Sequence, residues 1–230
     1  MGSKNKIAKY LLPLILKDRK EGQYYIEPFV GGANMIDKVD GNRIGADSNK
    51  WVIEALLSIR DEVSNLPKNN IEFTKEMYQE LRKSDNYKYK GYIGFSVSFG
   101  SKWLGGWSSN KKGDDYVARA YRTALKQSPL LQGIDFIHSK YDELEIPSKS
   151  IIYCDPPYEG TTKYKDNFDH NKFWNWCREK SKEGHQVFIS EYNAPEVFEC
   201  IWEMEVTTKL NKNKQNDIRV EKLFKYKGDK

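Results

Sequence analysis

The stretch Ser150-Ile151-Ile152-Tyr153-Cys154-Asp155-Pro156-Pro157-Tyr158 is an apolar run that stops on a carboxylate, two prolines and an aromatic ring. A short uninterrupted apolar run bounded in this way predicts a strand. The two prolines have fixed φ and no N–H, so they hold the chain extended and leave carbonyl oxygens available as acceptors. Ligands of open α/β sheets bind beyond the carboxyl ends of the strands. Asp155, Pro156, Pro157 and Tyr158 are therefore expected at a binding edge. Their chemistry suits an aromatic amine: two N–H groups bonded to Asp155 and to the Pro156 carbonyl would localise a lone pair otherwise spread into the ring, while Tyr158 supplies a stacking face. From these four residues alone, a Pro-Pro turn that merely ends a strand is an equal alternative.

Upstream, Gln23 to Val30 reads as a second buried strand, Gly31-Gly32 as a tight turn, and Ala33 to Val39 as a helix, together the first half of a βαβ unit. A glycine turn at a strand end lets a ligand approach the backbone, and the G-x-G-x-x-G phosphate fingerprint is missing; a purely structural turn is the alternative. Arg43 to Ala46 forms a further short strand. It delivers Asp47, 16 residues beyond Gly31, to a position suited to ribose hydroxyls or, equally, to a helix N-cap. Val52, Ile53, Leu56 and Leu57 mark the helix that follows, and Ile7, Leu11, Leu14 and Ile15 mark an amphipathic helix near the start. Later elements are a helix over Asp115 to Lys126, a strand near Ile134 to His138, a helix around Lys172 to Lys182, the strand Gln186 to Ser190, and strands near Met204 to Leu210 and Ile218 to Tyr226. Alternating strands and helices predict a three-layer α/β fold.

Composition limits the rest. Of 230 residues, 38% are hydrophobic and 13% aromatic, enough for one well-packed core, although mean hydropathy is −0.80. A net charge of +5 permits a polyanionic partner without requiring one. Cys154, Cys177 and Cys200 are odd in number and widely spaced, which suggests neither a disulfide framework nor a zinc site. The apolar stretch from Ile7 to Leu16 is interrupted by Lys9 and Pro13 and lacks a cleavage site, so a cytoplasmic protein with no membrane span is expected.

Between Asn65 and Asp114 the periodicity fades. Tyr87, Lys88, Tyr89, Lys90, Tyr92, Phe95, Phe99, Lys102, Trp103 and Trp107 interleave aromatics with lysines, a mixture suited to phosphate contacts and base stacking. Phe95, Phe99, Trp103 and Trp107 recur every four residues, so a buried helical stripe explains them as well. The loop Glu159-Gly160-Thr161-Thr162-Lys163-Tyr164-Lys165 is basic and follows the proline pair, placed to clamp a nucleic acid strand or simply to be solvated. His138, His170 and His185 stand singly and read as structural or surface residues.

Glu27-Pro28-Phe29-Val30-Gly31-Gly32 and Asp155-Pro156-Pro157-Tyr158 together resemble the two signature motifs of the Dam-type family of S-adenosylmethionine-dependent DNA adenine methyltransferases, and the resemblance covers nearly the whole chain. It implies a Rossmann-like methyltransferase fold in one domain spanning 1–230, with a target-recognition subdomain inserted at about 65–114. It further implies methyl transfer from S-adenosylmethionine, released as S-adenosylhomocysteine, to the exocyclic nitrogen of a flipped adenine in double-stranded DNA, without a metal or an obligatory protein partner. Asp155, Pro156, Pro157 and Tyr158 would be catalytic. Lys4, in a segment similar to the family's glycine-lysine segment, together with Glu27, Pro28, Phe29, Gly31, Gly32, Asp47, Tyr141, Asp142 and Asp155, would hold the cofactor. Lys88, Lys90, Phe99, Lys102, Lys163, Tyr164 and Lys165 are the expected DNA contacts. The same chemistry on cytosine or on RNA, and a non-catalytic nucleic-acid-binding module, are the alternatives.

Overall fold

The computed structural model describes residues 4–110, 112–158, 168–208 and 217–228. Its centre is a seven-stranded sheet built from β1 (Tyr25–Glu27), β2 (Arg43–Asp47), β3 (Ile134–His138), β4 (Ile151–Cys154), β5 (Gln186–Glu191), β6 (Phe198–Thr208) and β7 (Asp217–Tyr226), in the order β3-β2-β1-β4-β5-β7-β6. Strands β1 to β5 pair in parallel, whereas β7 lies antiparallel to both β5 and β6. The chain order reverses beside β1, which has β2 on one side and β4 on the other. A crevice therefore opens at the carboxyl ends of β1 and β4, where α/β sheets bind their ligands. This is a Rossmann-like three-layer α/β architecture.

Helices cover both faces of the sheet. On one, α1 (Ala8–Ile15), α2 (Lys50–Glu62) and α5 (Tyr116–Gln127) bury Leu11, Ile15, Ile53, Leu56, Val117 and Ala124 in a cluster with Tyr25, Ile151, Tyr153 and Phe188. On the other, α6 (His170–Lys182) packs Phe173, Trp174 and Cys177 against Ile152, Cys154, Val187 and Ile189. All four residues of β4 are buried, and their side chains divide alternately between the two faces. That period of two turns Asp155 toward the face of Tyr153, the face that carries α1.

Helix starts follow local chemistry: Asn49, Asp115 and Asp169 accept from the backbone N–H of Trp51, Ala118 and Lys172. The cap of α2 is thus Asn49 and not Asp47. Between α2 and α5 lie α3 (Lys75–Lys83) and α4 (Lys90–Ser96). Tyr78, Leu81, Tyr92, Ile93 and Val97 share the large core with Leu11 and Ile53, so this segment is packed into the body of the domain. A Cβ at Gly91 would sit 2.2 Å from the backbone oxygen of Trp51, so only glycine permits the close crossing of α2 and α4.

Two expected elements are shorter than their sequence pattern. The strand expected over Gln23 to Val30 is regular only over Tyr25–Glu27, because Pro28 cannot donate to the ladder and the Val30 amide turns away to the Ala46 carbonyl at 2.8 Å. The helix expected over Ala33 to Val39 is a single 3-10 turn, Ile36–Lys38. Gly31 and Ala33 both adopt left-handed backbone, φ +49° and +55°, which precludes a continuous helix there.

Candidate active site

Four elements meet at the carboxyl edge of the sheet. Directly after β4, Asp155 lies in a junction with Lys4, Tyr158 and Glu221, the last contributed by β7. Lys4 Nζ is 3.1 Å from Asp155 Oδ1, 3.1 Å from Glu221 Oε2, and donates to the Tyr158 hydroxyl at 2.6 Å. That hydroxyl in turn donates to Glu221 Oε2 at 2.9 Å. The three donors of a lysine ammonium match these three oxygens. The Tyr158 ring stands at 88° to Tyr192 with centroids 4.6 Å apart, and Lys4 Nζ lies 4.5 Å from the Tyr158 centroid.

Lys4 is 7% exposed, so these charges interact through protein more than through water. Burial alone would push the Lys4 ammonium down, but Asp155 and Glu221 more than offset it and its pKa is raised. The Asp155 carboxyl is raised too, because burial outweighs the pull of Lys4. Glu27 is buried on the same face and raised well above the carboxylate range by burial; its Oε1 accepts from the Tyr25 hydroxyl at 2.9 Å, and Asp155 and Asp37 press it further upward.

The turn after β1 is tied to β2 through Asp47, whose Oδ2 accepts from Gly31 N at 3.1 Å and whose Oδ1 accepts from Asn49 N at 2.9 Å. Burial raises its pKa against the pull of those two amides. A Cβ on Gly31 would meet nothing within 4 Å, so the backbone at this turn faces open space. Beside it Phe29 stacks on Tyr141, with centroids 5.4 Å apart at 28°, and both rings touch Phe168 and Phe173.

Residues 1–97 match the family described as D12 class N6 adenine-specific DNA methyltransferase. Over that stretch the chain is similar to the Dam-type family. Among its curated relatives, the type II methyltransferase M.MjaIII of Methanocaldococcus jannaschii is 27% identical over 242 positions, covering 84% of this chain and 83% of that protein. The type II methyltransferase M.FokI of Planomicrobium okeanokoites is 24% identical over 207 positions, covering 78% of this chain but only 31% of its own length, so this chain corresponds to less than a third of that relative. A solved methyltransferase structure complexed with SAH covers 99% of this chain and 53% of its own at 9% identity and a TM-score of 0.39, too loose a likeness to carry an argument.

The structure gathers Lys4, Glu27, Pro28, Phe29, Gly31, Asp47, Tyr141, Asp155, Pro156, Pro157 and Tyr158 around the carboxyl ends of β1, β2 and β4. Gly32 is exposed beyond Gly31. Lys4, expected at a cofactor carboxylate, engages Asp155, Glu221 and Tyr158. Asp142 is turned to Lys172 of α6, whose ammonium holds its carboxyl below the usual range.

Of the expected DNA contacts, Lys88 and Lys102 are exposed and Phe99 is 70% exposed. Lys90 is a correction. It is 2% exposed, donates to the Ser84 carbonyl at 2.8 Å and to Asp85 Oδ1 at 2.7 Å, and has no surface to offer a phosphate. The four-residue aromatic spacing is not one helical stripe either. Phe95 and Trp103 pack together at 4.8 Å with Trp51 behind them, Trp107 packs on Tyr78 at 5.5 Å, and Phe99 sits outside on a 3-10 turn. Lys163, Tyr164 and Lys165 lie outside the described residues. His185 accepts from Ser150 N at 3.1 Å at the start of β4. Among the described residues no helix is long and apolar enough to cross a membrane.

Sequence reasoning assigned no role to Glu221. The stretch Arg219-Val220-Glu221-Lys222-Leu223 resembles the closing strand of the Dam-type family, with no role for Glu221 implied. Only the antiparallel return of β7 beside β5, with Lys222 opposite Glu191, brings Glu221 to the same sheet edge as Asp155.

Proposed function

We propose that this chain is a DNA adenine methyltransferase that transfers a methyl group from S-adenosylmethionine to the exocyclic nitrogen of an adenine flipped out of double-stranded DNA. The observation that carries the reading is Asp155 just beyond the carboxyl end of β4, half-buried, bridged to Lys4 and followed by Pro156, Pro157 and Tyr158. The cofactor's chemistry suits the residues present. An ammonium and a sulfonium favour an edge bearing the carboxylates of Glu27, Asp47 and Asp155, ribose hydroxyls suit Asp47 at the end of β2, and an adenine ring suits the aromatic surface of Phe29 and Tyr141. Bound there, S-adenosylmethionine supplies a methyl group activated by the positive sulfur.

The chain's own residues orient the nucleophile. Asp155 accepts one N–H of the adenine amino group and the Pro156 carbonyl accepts the other, which draws the lone pair back onto nitrogen. Forming the N–C bond would break the S–C bond and leave a neutral thioether; the nitrogen would become positive, the nearby carboxylate would stabilise that charge, and the surplus N–H proton would then be lost to solvent. Tyr158 offers a stacking face worth roughly 1–3 kcal/mol to a base taken out of its helix. Its hydroxyl is fixed by Lys4 and Glu221, so the ring loses little freedom when a base arrives. Exposed Lys88, Phe99 and Lys102 in the 65–114 insertion are the proposed duplex contacts, and the cytoplasm, where DNA is available, is the proposed compartment.

The deciding experiment is transfer of labelled methyl to defined duplexes, single strands and RNA, followed by nucleoside analysis. N6-methyladenine from duplex DNA, lost in Asp155→Ala, is the expected result. Label in cytosine or in RNA alone, or an Asp155→Ala protein as active as wild type, refutes the assignment.

A further inference from the structure

We propose that Glu221 of β7 is a positioning residue that shares Lys4 with Asp155 and thereby keeps the ionised Asp155 from being fully neutralised by that lysine, so that it stays a strong acceptor for the target amine. The inference rests on the adenine methyltransferase reading and adds to it a residue on a strand that carries none of the expected catalytic or cofactor-binding residues.

Glu221 is 15% exposed, and its Oε2 is as far from Lys4 Nζ, 3.1 Å, as is Asp155 Oδ1. An ammonium between two carboxylates at equal distance neutralises neither fully. Two carboxylates and one ammonium leave the cluster with a net charge of −1, whereas Lys4 paired with Asp155 alone would be neutral and a weaker acceptor for an N–H. The same Glu221 oxygen accepts from the Tyr158 hydroxyl at 2.9 Å, so one side chain fixes both the charge on the acceptor and the orientation of the stacking ring.

Other charged and titratable groups face Asp155 from the packed elements: Lys4 from the N-terminal turn, Glu27 from β1, Tyr153 from β4 and Tyr158 from its own loop. On β5 the buried Glu191 bonds the backbone N–H of Tyr192 at 2.7 Å. Lys4 pulls the Asp155 carboxyl down and Glu221 pushes it up. Removing the Glu221 charge therefore makes Asp155 ionise at lower pH while leaving it more fully neutralised by Lys4.

The test is Glu221→Gln, whose amide oxygen can still accept from Lys4 and Tyr158. Carboxyl carbon NMR of protein labelled at aspartate, with the Asp155 signal assigned by its loss in Asp155→Asn, should show the Asp155 midpoint falling by roughly one pH unit. Methyl transfer should lose roughly tenfold in kcat, the acid limb of its pH profile should move to lower pH, and cofactor affinity should stay within about threefold by calorimetry. Glu221→Asp, which keeps the charge, should restore the acid limb. A merely structural role would lower stability and leave the Asp155 midpoint in place. An unmoved midpoint, or an active Glu221→Gln protein with wild-type kcat and acid limb, overturns the proposal. A wild-type protein that methylates no adenine instead sinks the functional reading, and the NMR titration still decides the coupling of Glu221 to Asp155.

Discussion

Replacing Lys4 by Met keeps the length and apolar character of the stem and removes only the charge. The ammonium is 7% exposed and holds Asp155 and Glu221, themselves 23% and 15% exposed, so the substitution strands two carboxylates without a counterion. Removing one partner of a buried ion pair costs about 3–5 kcal/mol. For a chain of this size 1 kcal/mol lowers Tm by roughly 2–4 °C, so the variant should melt about 6–20 °C below wild type near neutral pH. The sign with pH follows from the shifts. The folded-state pKa of Lys4 is raised, so its contribution is complete below the ordinary lysine value and is lost as pH rises through the folded one. Asp155 is raised already and rises further without Lys4, so below that value it is protonated and needs no partner. The difference between wild type and Lys4→Met should therefore be large near about pH 8 and shrink toward about pH 5. Urea unfolding of both proteins at the two pH values measures it. An equal difference at both would mean that the loss comes from packing of the lysine stem and that the charge cluster contributes little.

Asp47→Ala should weaken S-adenosylmethionine binding and also destabilise the fold by roughly 1–3 kcal/mol, since the Gly31 and Asn49 amides lose their acceptor; calorimetry and thermal melts separate the effects, and wild-type values in both would remove Asp47 from the site. Lys88→Ala should reduce the salt dependence of duplex binding by about one slope unit if it neutralises a phosphate. Lys90→Met should leave that slope unchanged while lowering stability, because its ammonium bonds Ser84 and Asp85 inside the protein; a slope change in Lys90→Met would show that the residue reaches DNA after all.

Much of the architecture is legible in local pattern. The apolar run into Asp155-Pro156-Pro157-Tyr158 marks a buried strand, and the helices α2, α5 and α6 are announced by their apolar residues, with the Asn49 cap of α2 inside the helix start that the sequence shows. These are short-range signals, set by φ/ψ preference, side-chain period and hydrogen bonding within a few residues. Where the pattern misled, a distant partner decided. Ala33 to Val39 carries helical apolar spacing, yet Ala33, Met35, Ile36 and Val39 each sink into the core from an irregular backbone. Lys90 looks like any lysine of a basic segment until the fold closes around it.

The sequence by itself determined the strand-and-helix order, the two motifs and the family they resemble, because each depends on neighbours along the chain. Tertiary structure alone decided that Lys4, Asp155, Tyr158 and Glu221 form one cluster, from residues up to 217 positions apart in number. No local preference encodes that meeting. It follows from the antiparallel insertion of β7 beside β5 and from the packing of α1 on the face toward which Asp155 points, and burial then converts four ordinary side chains into one coupled unit.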